Sequence, residues 1–326
     1  MDAVIRTEGL TKVYRGGVVA LDRLDLEVDA GEAFGFIGPN GAGKTTLIRI
    51  LLDLLRPTAG TATVLGLDSR AAGVQLRSRI GYLPGELRLD ERLTARETLT
   101  FLGRLQGMRD FAPAWALADR FDLPLDRPAR ELSKGNKQKV GIVQAFQHRP
   151  ELVVLDEPTS GLDPILQQAF HELMRETRAD GLTVFLSSHV LSELEHVADR
   201  VAMVHQGRLL AVQRIGELKR DAPHRVAIRF AAPVPEDLFA GVPGVAEAEV
   251  RGSLARLVVR GSMDAAIKRA AEHDVVDLDS VEPDLEEIFL AYYGAAEEGE
   301  PSASAASRLG RRWGETRTGA EEEPRA

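Results

Sequence analysis

The sequence contains no cysteine, which excludes a disulfide framework, a thiolate metal site and a cysteine nucleophile. Aromatic residues are scarce, at 5% of the chain. Long apolar runs are also missing. The longest stretch without Asp, Glu, Lys or Arg is 181–192, well short of the roughly 20 residues a bilayer-spanning helix needs, so no segment is expected to cross a membrane. Positive charge is in deficit, with 41 Lys and Arg against 50 Asp and Glu and a formal net charge of -9. No global positive field exists to hold a phosphodiester backbone, and a nucleic-acid partner is not expected. The first residues, Met1-Asp2-Ala3-Val4-Ile5-Arg6, carry an acid at once and no apolar signal core, so the chain is expected to start in the cytoplasm.

What is present is enough for two cores. A chain of 326 residues, 44% hydrophobic and 28% charged, accommodates one large domain and a smaller one. Up to about residue 216, short β-branched runs alternate with helical spacing and Gly-rich turns, the pattern of an α/β domain with a largely parallel sheet. Residues 33–37 and 152–155 are continuous apolar runs of strand length, as expected of central strands covered on both faces. A third run, 183–186, likewise ends in polar residues, Ser187-Ser188-His189. Polar residues after such strands fall at the carboxyl edge of the sheet, where α/β proteins place ligands. Between about 93 and 132 helical spacing takes over, with Leu99, Leu102, Leu105, Trp115, Leu117 and Phe121 as expected buried positions.

The first apolar run leads directly into Gly38-Pro39-Asn40-Gly41-Ala42-Gly43-Lys44-Thr45-Thr46 and then into the helical pattern Leu47-Ile48-Arg49-Ile50-Leu51. This is a phosphate-binding loop in its strand, loop and helix context. Glycines let successive backbone N–H groups converge on phosphate oxygens, and the helix presents its positive end. Lys44 supplies a mobile charge and Thr45 a hydroxyl for Mg2+. The second run ends in Asp156-Glu157-Pro158. Alone, an acidic pair after a strand is an ordinary turn or helix cap. Beside a phosphate loop it supplies one carboxylate for the metal side and one to polarise water. Asp156 emerges directly from the strand and suits the metal; Glu157, one step further, suits the general base.

Between them lies Leu132-Ser133-Lys134-Gly135-Asn136-Lys137-Gln138-Lys139, which in isolation is a serine-capped helix start. Taken with Leu155-Asp156-Glu157-Pro158-Thr159-Ser160-Gly161-Leu162-Asp163-Pro164 and then Ser188-His189, it resembles the ATP-binding subunit of ABC transporters. The likeness covers about two thirds of the chain. It implies a P-loop NTPase fold of the ABC ATPase type with a helical, signature-bearing insert. It also implies ATP and Mg2+ as ligands and ATP hydrolysis as the activity. Tyr14 matches the aromatic that stacks on adenine; Gly38, Asn40, Gly41, Ala42, Gly43, Lys44, Thr45 and Thr46 match the phosphate and Mg2+ cradle. Glu157 matches the catalytic base and His189 the histidine that meets the γ-phosphate. Ser133 and Gly135 match signature residues that contact ATP held by an opposite subunit, which requires a second ATP-binding subunit placed head to tail.

Two departures from the family pattern stand out. Lys134 and Asn136 occupy places commonly held by glycine and glutamine; Lys134 either aids phosphate binding or sits in solvent. In Ile80-Gly81-Tyr82-Leu83-Pro84-Gly85-Glu86-Leu87, Gly85 falls where the family carries a glutamine that touches Mg2+. Either Glu86 swings in as a substitute metal ligand, or the loop couples mechanically without one.

After about residue 218 the character shifts. Strands are expected at 225–230, 246–250, 255–259 and 275–281, with helices at 236–240 and 263–273, in the order of a split βαβ unit. A further helix is expected at 285–293 and a disordered tail from 295. The expected division is therefore 1–216 for the ATP-binding domain, 217–294 for a small α+β accessory module and 295–326 for the tail. The segment 282–294 resembles the closing part of ATPase subunits from drug-resistance and polysaccharide exporters. The module is either a dimer clamp or a regulatory or cargo element. The resemblance implies an exporter ATPase at the cytoplasmic face of the membrane, working with a separately encoded permease. The alternative is a soluble ABC-type ATPase acting in translation, repair or assembly.

Overall fold

The computed structural model describes residues 3–221, 224–281, 289 and 293. The chain divides into two compact units, Met1–Arg214 and Ile215–Ala326.

In the first unit, β1 (Ala3–Val13) and β2 (Val19–Asp29) form a hairpin joined by β4 (Ala59–Val64) and β5 (Leu67–Asp68) in an antiparallel sheet of order β2-β1-β4-β5. Leu21, Leu24, Leu26 and Val28 of β2 are buried between exposed or half-buried polar residues, the alternation of a strand with one face on the core. The pattern slips by one residue at Arg23, which has φ 48 where the β1–β2 register shifts. Such a bulge bends the strand without exposing its apolar face.

The second sheet has the order β10-β9-β3-β8-β7-β6. It contains β3 (Ala33–Ile37), β6 (Ile80–Leu83), β7 (Leu152–Asp156), β8 (Thr183–Ser188), β9 (Arg200–His205) and β10 (Arg208–Arg214). Every pairing among β9, β3, β8, β7 and β6 is parallel; only β10 runs antiparallel. All residues of β3, β7 and β8 are buried, as their apolar runs require. Phe185 of β8 stacks on Phe34 of β3 with ring centroids 6.1 Å apart. Register places Asp156 opposite Ser187 and Ile37 opposite Ser188, so the residues following the three strands share one carboxyl edge. Helix α1 (Lys44–Leu51) buries Leu47, Ile48, Ile50 and Leu51 in a core shared with β1, β2, β3, β7 and β8.

Helices α2 (Gly73–Arg77), α3 (Ala95–Leu105), α4 (Ala112–Arg120) and α5 (Lys134–Phe146) follow, with a 3-10 turn at Ala129–Glu131. Beyond β7 come α6 (Pro164–Ala179) and α7 (Leu191–Glu195). Thr94 caps α3 in a reciprocal box with Glu97, which satisfies two otherwise orphaned N–H groups. Leu99 and Phe121 are fully buried as expected, whereas Leu102, Trp115 and Leu117 are half-buried. The expectation for Leu105 is corrected: it is 70% exposed. The buried stripe of α3 runs through Ala95, Leu99 and Gly103. Gly103 lies so close to Phe111 that a Cβ there would come within 2.6 Å of the ring. Two residues further, Leu105 lies about 200° around the helix and faces away.

The second unit begins with α8 (Ile215–Asp221). Its sheet has the order β12-β13-β11-β14, all pairs antiparallel, from β11 (His224–Phe230), β12 (Val245–Arg251), β13 (Leu254–Val259) and β14 (Val275–Val281). Helix α9 (Asp264–Ala270) connects β13 to β14. This is the split βαβ order with one correction: 236–240 forms consecutive turns, not a helix. Amides of Leu238, Ala240 and Val242 bond to carbonyls of Pro235, Asp237 and Phe239, and Gly241 has φ 71. Between Pro235 and Gly241 too few residues remain to repay helix nucleation. Leu238 and Phe239 still reach the core beside Ile228, Leu257 and Ala266. The expected helix at 285–293 and the tail from 295 lie outside the described residues, apart from Phe289 and Tyr293.

Candidate active site

The loop after β3 turns sharply into α1. Gly43 caps that helix with φ 106, and a Cβ there would lie 2.4 Å from the Ala20 carbonyl oxygen. Only glycine meets both the left-handed backbone and the close approach of β2. The loop opens onto a cleft of about 560 Å³. Tyr14, Asn40, Gly41, Gly43, Lys44, Thr45 and Thr46 line one side of it, with Glu86, Asp156 and Glu157 also present. Gly38 and Ala42 belong to the same loop without lining the cleft. The Gly38 carbonyl accepts from Lys44 Nζ at 2.6 Å, and the Ala42 side chain is buried in the core.

Parallel register brings the charged residues together. Thr45 Oγ1 donates to Asp156 Oδ2 at 2.9 Å, and Ser187 Oγ donates to Asp156 Oδ1 at 2.5 Å. Lys44 Nζ stands 3.5 Å from Glu157 Oε1, and His189 Nδ1 lies 2.7 Å from Glu157 Oε2. The backbone of Glu157 has φ 52, and its N–H donates to the Ser187 carbonyl at 3.1 Å. This unusual conformation for a side-chain-bearing residue turns the carboxylate away from the line of β7. Tyr14, at the β1–β2 turn, places its hydroxyl 3.2 Å from Thr46 Oγ1, and Lys12 Nζ sits 5.4 Å from its ring centroid.

Thr45 and Asp156 present adjacent hard oxygen donors, the set that suits a small divalent cation completed by water and phosphate oxygens. No group of three or more His, Cys, Asp or Glu suited to a metal occurs among the described residues. Glu86, the third residue expected to meet the metal, is not brought to it. Its side chain is 89% exposed and 3.8 Å from the Arg88 guanidinium. Gly85 is nearer: a Cβ there would make ordinary contact with the Asp156 carboxylate at 3.4 Å.

Ser133 and Gly135 do not line the cleft. Ser133 caps α5, its Oγ accepting from the Asn136 N–H at 3.2 Å. Gly135 packs on the loop before α6, where a Cβ would lie 2.8 Å from the Gly161 carbonyl oxygen. Lys134 reaches over the same loop, with Nζ 3.4 Å from Ser160 Oγ. Three further residues belong to the site. Ser187 is a small polar residue at a strand end, a position that itself points to the edge. Tyr82 and Arg49 line the cleft from β6 and α1, with no motif of their own to mark them in the sequence. Burial, with the Asp156 charge adding to it, pushes the Tyr82 phenol up to about 12, so it remains a neutral hydrogen-bonding group.

A family profile described as ABC transporter matches residues 21–160. The chain is 42% identical over 220 residues to the daunorubicin/doxorubicin resistance ATP-binding protein DrrA of Streptomyces peucetius, covering 66% of each protein. It is 35% identical over 308 residues to the daunorubicin resistance ATP-binding protein DrrA3 of Streptomyces coeruleorubidus, covering 90% of this chain and 96% of that one. Among solved structures, an ATP-binding subunit of an ABC transporter superposes with a TM-score of 0.62 at 32% identity, over 67% of this chain and 92% of that chain.

Proposed function

The chain belongs to the ATP-binding proteins of the ABC transporter family, and on that premise we propose how its residues do their work. It binds and hydrolyses ATP as the nucleotide-binding subunit of an exporter. Backbone N–H groups of Asn40, Gly41, Ala42 and Gly43, with Lys44 and the start of α1 at Thr46, hold the phosphates, and Tyr14 meets the adenine face. Thr45 and Asp156 would hold Mg2+, which would supply positive charge to offset that of the phosphates. Water polarised by the Glu157 carboxylate attacks the γ-phosphorus, its proton passes to Glu157, and the bond to the bridging oxygen breaks to leave ADP and phosphate. His189, bonded to Glu157, orients that carboxylate and reaches the γ-phosphate.

Ser133 and Gly135, away from the chain's own cleft, serve the nucleotide of a second ATP-binding subunit, taken as another copy of this chain placed head to tail. No described helix is long and apolar enough to cross a membrane. We take work on a transported substrate to fall to a separately encoded permease, which holds this subunit at the cytoplasmic face of the membrane. The relatives named for daunorubicin and doxorubicin resistance favour an exported drug-like compound over a soluble role.

One observation carries the reading. Lys44, Thr45, Asp156, Glu157 and His189 are linked by contacts of 2.7 to 3.5 Å at the shared edge of β3, β7 and β8. The test is Glu157→Gln, which keeps size and removes the base. Turnover should fall by about 10²- to 10⁴-fold while ATP binding persists and gel filtration with ATP shows a stable dimer. Hydrolysis at the normal rate overturns the assignment.

A further inference from the structure

Glu157 must hold its carboxylate between Lys44 and His189 from a backbone with φ 52. A non-glycine residue stays in that region only where its surroundings enforce it. The enforcing contacts are visible. The Glu157 N–H is taken by the Ser187 carbonyl at 3.1 Å, and its own carbonyl accepts from the Ser160 N–H at 3.2 Å. A third contact comes from α5. Gln138, only 5% exposed, directs its side-chain Nε2 at two successive carbonyls, Glu157 O at 3.3 Å and Pro158 O at 2.8 Å. A side-chain amide has two N–H donors on one nitrogen, so a single residue engages both peptide units that follow the strained position.

We propose that Gln138 is a positioning residue for hydrolysis. It holds the Glu157–Pro158 backbone in its turned form, and so holds the Glu157 carboxylate where it acts. The inference rests on the reading of Glu157 as the base. Gln138 touches neither the nucleotide cleft nor the Glu157 carboxylate, so it acts through the backbone alone. Without it the Pro158 carbonyl loses its 2.8 Å donor, Glu157 O keeps only the Ser160 amide, and φ at 157 relaxes toward negative values. The Cα–Cβ bond then swings and the carboxylate leaves His189. Gln138 also lies on the helix that Ser133 caps, so a shift of that helix end is passed directly to the backbone of the base.

The test is a cycle of variants in the full chain, read as steady-state ATPase kinetics and as affinity for a fluorescent ATP analogue. Gln138→Met preserves volume and removes both donors. Alone it should lower kcat by roughly 10- to 100-fold, the scale expected of an ångström-sized displacement of a reacting group, with KM and analogue affinity within about twofold of wild type. In a Glu157→Gln background it should cost no more than about twofold, because the carboxylate it positions is gone. An equal loss in both backgrounds, a rise in KM at constant kcat, or no loss overturns the proposal. Wild-type turnover by Glu157→Gln alone instead overturns the base assignment on which it rests. Should Gln138→Met fail to fold, Gln138→Glu decides. Its carboxyl donates only when protonated, so its kcat relative to wild type should climb as pH is lowered from 8 to 6; a flat ratio overturns the proposal.

Discussion

Both carboxylate oxygens of Asp156 are engaged by hydroxyls, Thr45 Oγ1 on one and Ser187 Oγ on the other, and the side chain is 2% exposed. Two fixed donors lock its rotamer, which is what a one-carboxylate metal contact needs, since small errors in ligand placement weaken Mg2+ coordination sharply. Hydroxyl protons rotate, so an asparagine amide can replace the carboxylate's hydrogen bonds while losing its charge. Asp156→Asn should therefore fold normally yet require at least about tenfold more Mg2+ for half-maximal ATPase activity. Glu86→Ala should leave that requirement within about twofold, because its carboxylate is directed to solvent and Arg88. A Mg2+ titration of both variants checks the contrast; a tenfold shift for Glu86→Ala restores it as a ligand. Asp156 and Glu157 were legible in the sequence because they sit at the end of a strand, and Lys44 and Thr45 because they close a Gly-rich loop that leads from a strand into a helix. Glu86 was not, because its direction depends on how the loop after β6 closes. Gln138 was invisible for a stronger reason: its partners lie 19 and 20 residues away, and nothing in its own helix marks them.

Helix α3 shows how an element can be recognised while its faces are misassigned. Its leucines at 99, 102 and 105 repeat every three residues, but the packed stripe advances by four, through Gly103. Leu105 and Phe101, 70% and 57% exposed, are left on the outside. A glycine contributes nothing to a hydrophobic pattern, so the close approach it permits to Phe111 could not be read from spacing. Largely solvated apolar side chains contribute little to folding, so charge at these positions removes little packing. Phe101→Glu with Leu105→Glu should change the melting temperature by no more than a few degrees and leave basal ATPase activity within about twofold. Melting curves and an ATPase assay of that double variant check the assignment; a melting temperature lowered by about ten degrees or more places both side chains in the packed face. The same lesson holds in the second unit. Strand β11 was legible from its alternation, whereas 236–240 kept its buried Leu238 and Phe239 but not its helix, because Pro235 and Gly241 bound it too tightly.

At the scale of the whole molecule, response to acid is set by groups whose proton affinity changes on folding. Most shifted carboxylates are exposed and held below their usual range by arginines, as Glu151 is by Arg79 and Glu176 by Arg120. Stability linked to them is lost only below the ordinary carboxylate values. Two histidines act at milder pH. Burial pushes His148 down, opposed in part by backbone groups of Ile80 and Gln144. His171 is lowered first by burial, then by the His196 charge with a contribution from Arg175, against an opposing effect of Glu193. The His171 and His196 rings stack 5.2 Å apart and nearly parallel, so protonating both places like charges face to face. For both residues the unfolded chain binds protons at higher pH than the folded one. Their contribution is therefore intact above the unfolded value of about 6.5 and is lost as pH falls through that value toward the lowered folded one. Half-buried Glu32, raised chiefly by desolvation, works in the opposite sense. Thermal unfolding of the first unit should accordingly shift to lower temperature between pH 7.5 and 5.5. The double variant His148→Gln with His171→Gln should flatten that shift while leaving the carboxylate-driven loss below pH 4.5 in place. Melting curves across this range decide the point: a double variant with the full wild-type slope between pH 7.5 and 5.5 places the sensitivity in other groups.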